Sequence, residues 1–122
     1  DAAVPGVLNI ISNGNFDAYV IACFDDTGLA EARTITQKPV IGIGQASFHL
    51  AALSSGRFSV LTTLAVSIPV IAENIEAQGF GPICDGIYAS GVPVLDLETA
   101  PDKSCGIISS HLQKMAVKNP SN

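Results

Sequence analysis

The stretch Ala18-Tyr-Val-Ile-Ala-Cys-Phe-Asp-Asp-Thr-Gly-Leu29 decides how the rest of the chain is interpreted. Its uninterrupted apolar run is typical of a buried parallel strand, predicted over residues 19–24. An acidic turn and a helical segment follow, so Cys23 is expected at the carboxyl end of the strand, where open α/β sheets bind ligands. Asp26 or Thr27 is expected to cap the helix. Cys23 is then either a reactive thiol or a buried cysteine that packs as a small hydrophobe.

Strands and helices alternate along the remainder of the chain. Helix-like spacing of Val7, Leu8, Ile10 and Ile11 predicts a helix that stops at residues 13–15. The other predicted strands are residues 39–44, 57–63 and 83–92, and the other predicted helices are residues 28–36, 45–53, 64–78 and 99–118. Residues 94–97 are predicted to form a short strand or a loop, and residues 119–122 a loose tail. Short loops between alternating elements predict parallel pairing through right-handed crossovers.

Length and composition predict that residues 1–122 form one α/β region, because a chain of 122 residues buries a single core. Charged residues make up 14% of the chain, which is low beside the usual ~25%. We therefore expect much of the chain to be buried, in a sheet covered on both faces or against other subunits of a homo-oligomer. On the predicted helix 45–53, Ala46, Leu50 and Leu53 are expected to face inward.

Charge and cysteine content exclude several classes of function. The formal net charge is −5 and the six Lys and Arg are scattered, which argues against a nucleic-acid partner. No apolar run approaches the ~20 residues of a membrane span, and no signal peptide precedes the first strand. Three separated cysteines and two histidines form neither a disulfide framework nor a zinc motif. We expect a cytoplasmic protein without a metal.

A glycine pair after the second predicted strand invites a nucleotide-site interpretation. Gly42 and Gly44 match two of the three glycines of a dinucleotide fingerprint, but the third glycine is absent. No acidic residue ends the next predicted strand either. The pattern therefore does not predict a nucleotide site.

Two predicted strand ends carry side chains suited to chemistry. Cys23 ends the first predicted strand, and Thr62 and Thr63 end the third. Because the carboxyl ends of parallel strands meet at one edge of a sheet, a thiol and two hydroxyls are expected to face one crevice. With amide N–H groups of the next helix, the hydroxyls would form a neutral cradle for a carboxylate or imide oxygen. The alternative interpretation of the threonines is helix capping.

Three motifs together resemble the hydantoin and allantoin racemases of the aspartate/glutamate racemase superfamily. They are Val20-Ile-Ala-Cys-Phe-Asp-Asp-Thr-Gly-Leu29, Pro39-Val-Ile-Gly-Ile-Gly44 and Arg57-Phe-Ser-Val-Leu-Thr-Thr63. The likeness continues at Gln78-Gly-Phe and at Val92-Pro-Val-Leu-Asp-Leu-Glu98. The resemblance implies a Rossmann- or flavodoxin-like parallel sheet flanked by helices, as part of a two-domain racemase fold.

The resemblance also implies a cofactor-independent racemase that acts on a small molecule, a 5-substituted hydantoin or allantoin. One cysteine removes a proton from the substrate carbon and a second cysteine reprotonates the opposite face. Cys23 matches the first of these two bases. Phe24 (through its backbone N–H), Thr62 and Thr63 match substrate-binding positions, while Asp26 matches an acidic residue that orders the turn.

The chain departs from the family pattern in sequence and in length. Asp25 stands where the family usually has Gly, and Thr27 stands where it usually has Pro. Members are roughly twice as long, with an opening Asn-Pro-Asn motif and a second cysteine in a Leu-Gly-Cys strand end, and this chain has neither. Cys84 and Cys105 are expected to be structural. The resemblance therefore implies an internal fragment that is inactive or weakly active alone.

Two alternatives stay open at this point. The first alternative is a decarboxylase or cis–trans isomerase of a small dicarboxylate, because arylmalonate decarboxylases and maleate isomerases belong to the same superfamily. The other is a non-catalytic fragment that oligomerises, because an uncovered half of a two-domain enzyme exposes apolar surface.

Overall fold

The computed structural model describes residues 2–118, which form two compact units whose boundary falls between His49 and Leu50. The elements of the first unit are α1 (Val4–Asn13), β1 (Tyr19–Ile21), α2 (Leu29–Ile35), β2 (Val40–Gly42) and the start of α3 (Ile43–Ser55). The second unit contains β3 (Phe58–Thr62), a 3₁₀ turn (Ala65–Ser67), α4 (Ile68–Ala77), a second 3₁₀ turn (Gly81–Ile83), β4 (Cys84–Ala89), α5 (Asp96–Thr99) and α6 (Pro101–Lys118). That residues 1–122 form one α/β region of a longer protein stays a prediction.

Each unit contains one pair of parallel strands joined through a helix. In the first unit β1 pairs with β2, with Tyr19 opposite Val40, and α2 connects them. In the second unit β3 pairs with β4, with Thr62 opposite Ala89, and α4 connects them. The predicted α/β class, with parallel strands flanked by helices, is thereby confirmed.

The core of the first unit lies between α1, α2 and the two strands. Ile11 of α1 and Ile21 of β1 are buried together with Leu29, Ala32 and Val40. The predicted helical spacing is confirmed for Val7, Leu8 and Ile11, which lie in or against this cluster, whereas Ile10 is 65% exposed. Apolar burial of this kind contributes roughly 25 cal/mol per Å² of surface removed from water.

The buried apolar residues of the second unit include residues of β3 and of α4, and α4 packs against β4. Phe58 and Val60 alternate inward along β3, as the period of two of a strand requires. Ile71 and Ile75, spaced by four on α4, are both buried. Pro69 lies in the first turn of α4, where its missing N–H leaves no helical bond unmade.

Strand β1 is shorter and less covered than the sequence predicts. It spans three residues instead of six, and Val20 in its centre is 62% exposed. The reason is that α1 and α2 cover one side of β1, while among the described residues β2 is its one strand neighbour. An apolar run alone does not reveal which of its faces is covered.

Helix α3 buries a different face from the predicted one. Gly44 and Phe48, spaced by four, are its buried residues, whereas Ala46 and Leu50 are exposed and Leu53 is 86% exposed. Residues 96–99 form a short helix instead of a strand or loop. The predicted tail at residues 119–122 lies outside the described residues. In residues 2–118, no helix combines the length and the hydropathy that crossing a membrane requires.

Candidate active site

The exposed thiol of Cys23 lies in a tight turn that follows β1. The Asp26 N–H donates to the Cys23 carbonyl over 2.9 Å, and the Leu29 N–H donates to the Asp26 carbonyl over 3.0 Å. Gly28 occupies the N-cap of α2 with φ +77°, and no side chain caps this helix. The expectation that Asp26 or Thr27 caps α2 is therefore wrong, because the cap position is one residue later and needs a left-handed backbone.

The Asp26 carboxylate instead caps α3. Its Oδ1 accepts the Gly44 N–H over 2.9 Å and its Oδ2 accepts the Gln45 N–H over 2.8 Å. The side chain is 7% exposed, and the backbone is left-handed with φ +54°. Two charge-assisted hydrogen bonds at the N-terminus of a helix stabilise a buried carboxylate. Asp26 thus orders the turn by fastening it to the start of α3.

The two glycines around Ile43 make room for this carboxylate. A Cβ at Gly42 would lie 2.6 Å from Asp26 Cγ, and a Cβ at Gly44 would lie 2.8 Å from Asp26 Oδ2. The Gly44 position also abuts the carbonyl oxygen of Phe24. The glycine pair therefore has a packing function in this structure.

Two neighbours define the surroundings of the thiol. Thr27 Oγ1 lies 3.7 Å from Cys23 Sγ, within hydrogen-bonding reach of sulfur. The ring of Phe24 packs edge-to-face on Phe48, with centroids 5.5 Å apart, which fixes the residue after the cysteine. In residues 2–118 no acceptor takes the Phe24 N–H. Cys23 also borders a groove of about 330 Å³ whose apolar lining includes Ile10 and Val20.

Thr62 and Thr63 lie at the end of β3, in the second unit. The Thr62 carbonyl accepts the Ser90 N–H over 2.9 Å, and the Thr63 carbonyl accepts the Gly91 N–H over 2.7 Å and the Ser90 hydroxyl over 3.3 Å. The helical segments that follow have Leu64 and Ser67 at their N-caps, with no side-chain cap bond. The capping interpretation of the threonines is therefore wrong.

The hydroxyls of Thr62 and Thr63 are not used for bonds inside the part of the chain that the structure describes. Ser90, which fixes the backbone of this strand end, was missed by sequence reasoning because a serine between a strand and a loop gives no distinctive signal. Cys23 and Phe24 share the turn of the first unit, and the threonines belong to the second unit. That the two groups face one crevice stays a prediction.

The other two cysteines differ from Cys23 in their surroundings. Cys84 is partly buried at the start of β4, and burial raises the pKa of its thiol, an effect to which the carboxylates of Asp85 and Glu76 add. Cys105 is exposed on α6. No three His, Cys, Asp or Glu side chains of residues 2–118 are grouped so as to hold a metal ion.

Parallel β-α-β units with an exposed cysteine after the first strand define an α/β protein with a candidate thiol site. The chain belongs to the Asp/Glu/Hydantoin racemase family, whose model matches residues 1–119. It is 46% identical over 105 residues to a hydantoin racemase of Rhizobium meliloti, and 37% identical over 103 residues to one of Pseudomonas sp. (strain NS671). The predicted resemblance is confirmed.

Solved structures show the same fold. An allantoin racemase from Klebsiella pneumoniae superposes with a TM-score of 0.87 at 36% identity, covering 96% of this chain and 49% of that one. The two hydantoin racemases are matched over 84% and 82% of this chain. The chain spans 44% and 41% of the length of those relatives.

Proposed function

We propose that this chain is part of a cofactor-independent racemase of 5-substituted hydantoins or allantoin, with Cys23 as one of its two thiol bases. The observation that carries the proposal is the exposed Cys23 thiol in a rigid turn at the end of a parallel strand. Membership of the racemase family supports it. So do the names of the similar proteins, which are hydantoin and allantoin racemases.

The proposed reaction is a proton exchange at one carbon. The C5–H bond of a hydantoin is acidified by the adjacent carbonyl, which takes up the charge as an enolate. The Cys23 thiolate accepts this proton and becomes a thiol. A second acid then delivers a proton to the opposite face of C5, so that the net change is inversion of configuration and no other bond is made or broken.

We assign substrate binding to the Phe24 N–H and to the hydroxyls of Thr62 and Thr63. These are neutral donors, which suits a substrate whose oxygen gains negative charge only during the reaction. The Phe24 N–H has no acceptor within residues 2–118, and neither threonine hydroxyl is used there. Their convergence on one substrate is part of the proposal.

The second base is proposed to lie outside residues 1–122. Cys84 is a poor candidate, because burial raises the pKa of its thiol and keeps it protonated at neutral pH. Cys105 stands on an exposed face of α6, without the turn that surrounds Cys23. The relatives are more than twice the length of the matched part, which leaves room for a second base elsewhere in a longer polypeptide.

Circular dichroism of a chiral 5-substituted hydantoin tests this proposal in the native polypeptide that carries this sequence. Cys23→Ser is expected to slow racemisation by about 10²–10⁴-fold, the usual contribution of a general base. Cys105→Ser, which also removes an exposed thiol, is the matched control and is expected to leave the rate unchanged. Unchanged racemisation by the Cys23→Ser variant would exclude the proposed base. Conversion of an arylmalonate or maleate in its place would favour the decarboxylase or isomerase alternative.

We further propose that the protein acts in the cytoplasm as a homo-oligomer. Large apolar side chains at the surface of residues 2–118 support the oligomer, among them Ile10, Val20 and Val66. Light scattering of the native polypeptide gives its mass directly. A monomer at micromolar concentration would contradict the proposed oligomer and would leave the proposed reaction unaffected.

A further inference from the structure

The hydroxyl of Thr27 is the side-chain group that the structure places against the proposed base. Thr27 Oγ1 lies 3.7 Å from Cys23 Sγ. Thr27 is half-buried and Cys23 is exposed. The contact spans four residues within one turn, so it depends on the conformation of that turn.

The direction of this hydrogen bond depends on the ionisation of the sulfur. A thiol and a hydroxyl are each able to donate, and a bond between two neutral groups that involves sulfur is weak. A thiolate has no proton, so only the Thr27 hydroxyl is able to donate to it. Charge-assisted hydrogen bonds are roughly twice as strong as neutral ones. The contact therefore stabilises the thiolate more than the thiol.

The turn that carries Thr27 is held rigid by its neighbour Asp26. The carboxylate of Asp26 is fixed by the Gly44 and Gln45 N–H groups, and the backbone of Asp26 bonds to Cys23 on one side and Leu29 on the other. These bonds hold the stretch of backbone from which the side chains of Cys23 and Thr27 extend. The same bonds direct the negative charge of Asp26 to the start of α3.

We propose that Thr27 is a positioning residue that donates a hydrogen bond to the Cys23 thiolate, in a turn that Asp26 holds in place. The inference rests on the proposed function, because it assigns to Thr27 a role in preparing the base. Nothing in the mechanism proposed above requires this hydroxyl, and the substrate-binding groups assigned there are different ones.

Site-resolved alkylation tests the contact in the native polypeptide that carries this sequence. The probe is iodoacetamide at pH 7, and the alkylation rates of Cys23 and Cys105 are read from the same molecules by peptide mass spectrometry. Thr27→Val keeps the shape of the side chain and removes the hydroxyl. Thr27→Ser keeps the hydroxyl. Cys105, an exposed thiol on another element, serves as the internal standard for folding and reagent.

Thr27→Val is expected to slow alkylation of Cys23 by about threefold relative to Cys105. The valine removes the charge-assisted hydrogen bond that the hydroxyl donates to the thiolate, and the effect on the rate stays at roughly threefold because a stabilised thiolate is also a weaker nucleophile. Thr27→Ser is expected to alkylate at the wild-type rate. A Cys23 rate that is unchanged in Thr27→Val, or lowered equally in Thr27→Ser, would overturn the inference. Thr27→Ala provides a second hydroxyl-free variant if the valine disturbs the turn.

Racemisation by the native polypeptide separates this inference from the function on which it rests. Thr27→Val is expected to lower kcat and to leave KM unchanged, because the hydroxyl touches the base and not the substrate. If Cys23→Ser racemises normally while Thr27→Val still slows alkylation, the proposed function fails and the contact stands. If Cys23→Ser is inactive and Thr27→Val behaves as wild type in both assays, the inference fails alone.

Discussion

The bond between Asp26 and the start of α3 gives a stability prediction that can be worked out from distances. Asp26→Asn preserves the volume of the side chain and its tolerance of the left-handed backbone, which Asn shares with Asp. The substitution replaces one carboxylate oxygen by an NH₂ group. The carboxylate oxygens accept from two backbone N–H groups over 2.8 and 2.9 Å, and after the substitution one of these N–H groups faces a donor instead of an acceptor. The second bond survives as a neutral one.

The expected destabilisation is about 1.5–3 kcal/mol. This is the usual net contribution of a hydrogen bond to a charged group, and a buried donor left without an acceptor costs a similar amount. With a urea m-value of about 2 kcal/mol/M, the unfolding midpoint is expected to fall by about 1 M. Circular dichroism at 222 nm during urea titration measures it.

Gly44→Ala is expected to disrupt the same contact from the other side, because its Cβ would lie 2.8 Å from Asp26 Oδ2. Its matched control is Gly6→Ala in α1, where an added Cβ meets nothing within 4 Å. The control is expected to be neutral or to stabilise by about 0.5–1 kcal/mol, since alanine favours the helix over glycine.

The double variant distinguishes a shared cause from two separate ones. Since Asp26 and Gly44 touch, the Asp26→Asn and Gly44→Ala effects should combine to less than their sum. If Asp26→Asn leaves the midpoint within 0.2 M of wild type (about 0.4 kcal/mol at that m-value), the carboxylate does not hold the turn and the reasoning is wrong. Strict additivity would show that Gly44 makes room for the Phe24 carbonyl oxygen and not for Asp26.

Two further predictions concern residues outside the thiol turn. Burial raises the pKa of Cys84 above its value in the unfolded chain, so the unfolded chain loses this proton at a lower pH than the folded chain does. The free energy of unfolding is therefore expected to fall as pH rises above about 8.5. Urea titrations across this range should show a decline in wild type that Cys84→Ala lacks, and parallel curves would contradict the assignment. Phe48→Ala is expected to destabilise the chain by about 3–5 kcal/mol, because Phe48 is buried and its ring supports Phe24. The same titration checks this, and a loss below about 1 kcal/mol would show that the aromatic pair matters little.

The order of elements was predictable because it depends on local patterns. Apolar runs bounded by turn residues placed both strand pairs to within three residues at each end, and helical spacing placed α1. The helix predicted over residues 64–78 begins at Ile68 in the structure, with Pro69 in its first turn, where proline is tolerated. These signals lie within a few residues of the element that they predict.

The buried faces were less predictable because they depend on what lies across from them. The apolar stripe of α3 suggested Ala46, Leu50 and Leu53, yet Gly44 and Phe48 are the buried residues. The start of α3 is fixed by a carboxylate eighteen residues earlier in the chain. A hydrophobic pattern on one helix contains no information about such a partner.

The candidate site likewise has features that local sequence patterns predict and features that they do not. The place of Cys23 after a strand could be predicted because an apolar run followed by an acidic turn is a local pattern, while its role as a base comes from the family resemblance and stays a proposal. The contact of Thr27 with the sulfur could not, since a threonine two residues before a helix predicts capping more readily than a bond to a thiol.

The left-handed backbone of Asp26 links the start of α3 to the position of the Thr27 side chain. A non-glycine residue with positive φ is maintained only where the surrounding bonds outweigh its strain, which is about 1–2 kcal/mol. Here the two N–H groups of α3 supply those bonds, and the two glycines supply the space. The conformation that results places the hydroxyl of the next residue, Thr27, against the thiol. The stability of α3 and the environment of the proposed base are therefore coupled through one carboxylate, so a variant that weakens the first is expected to alter the second.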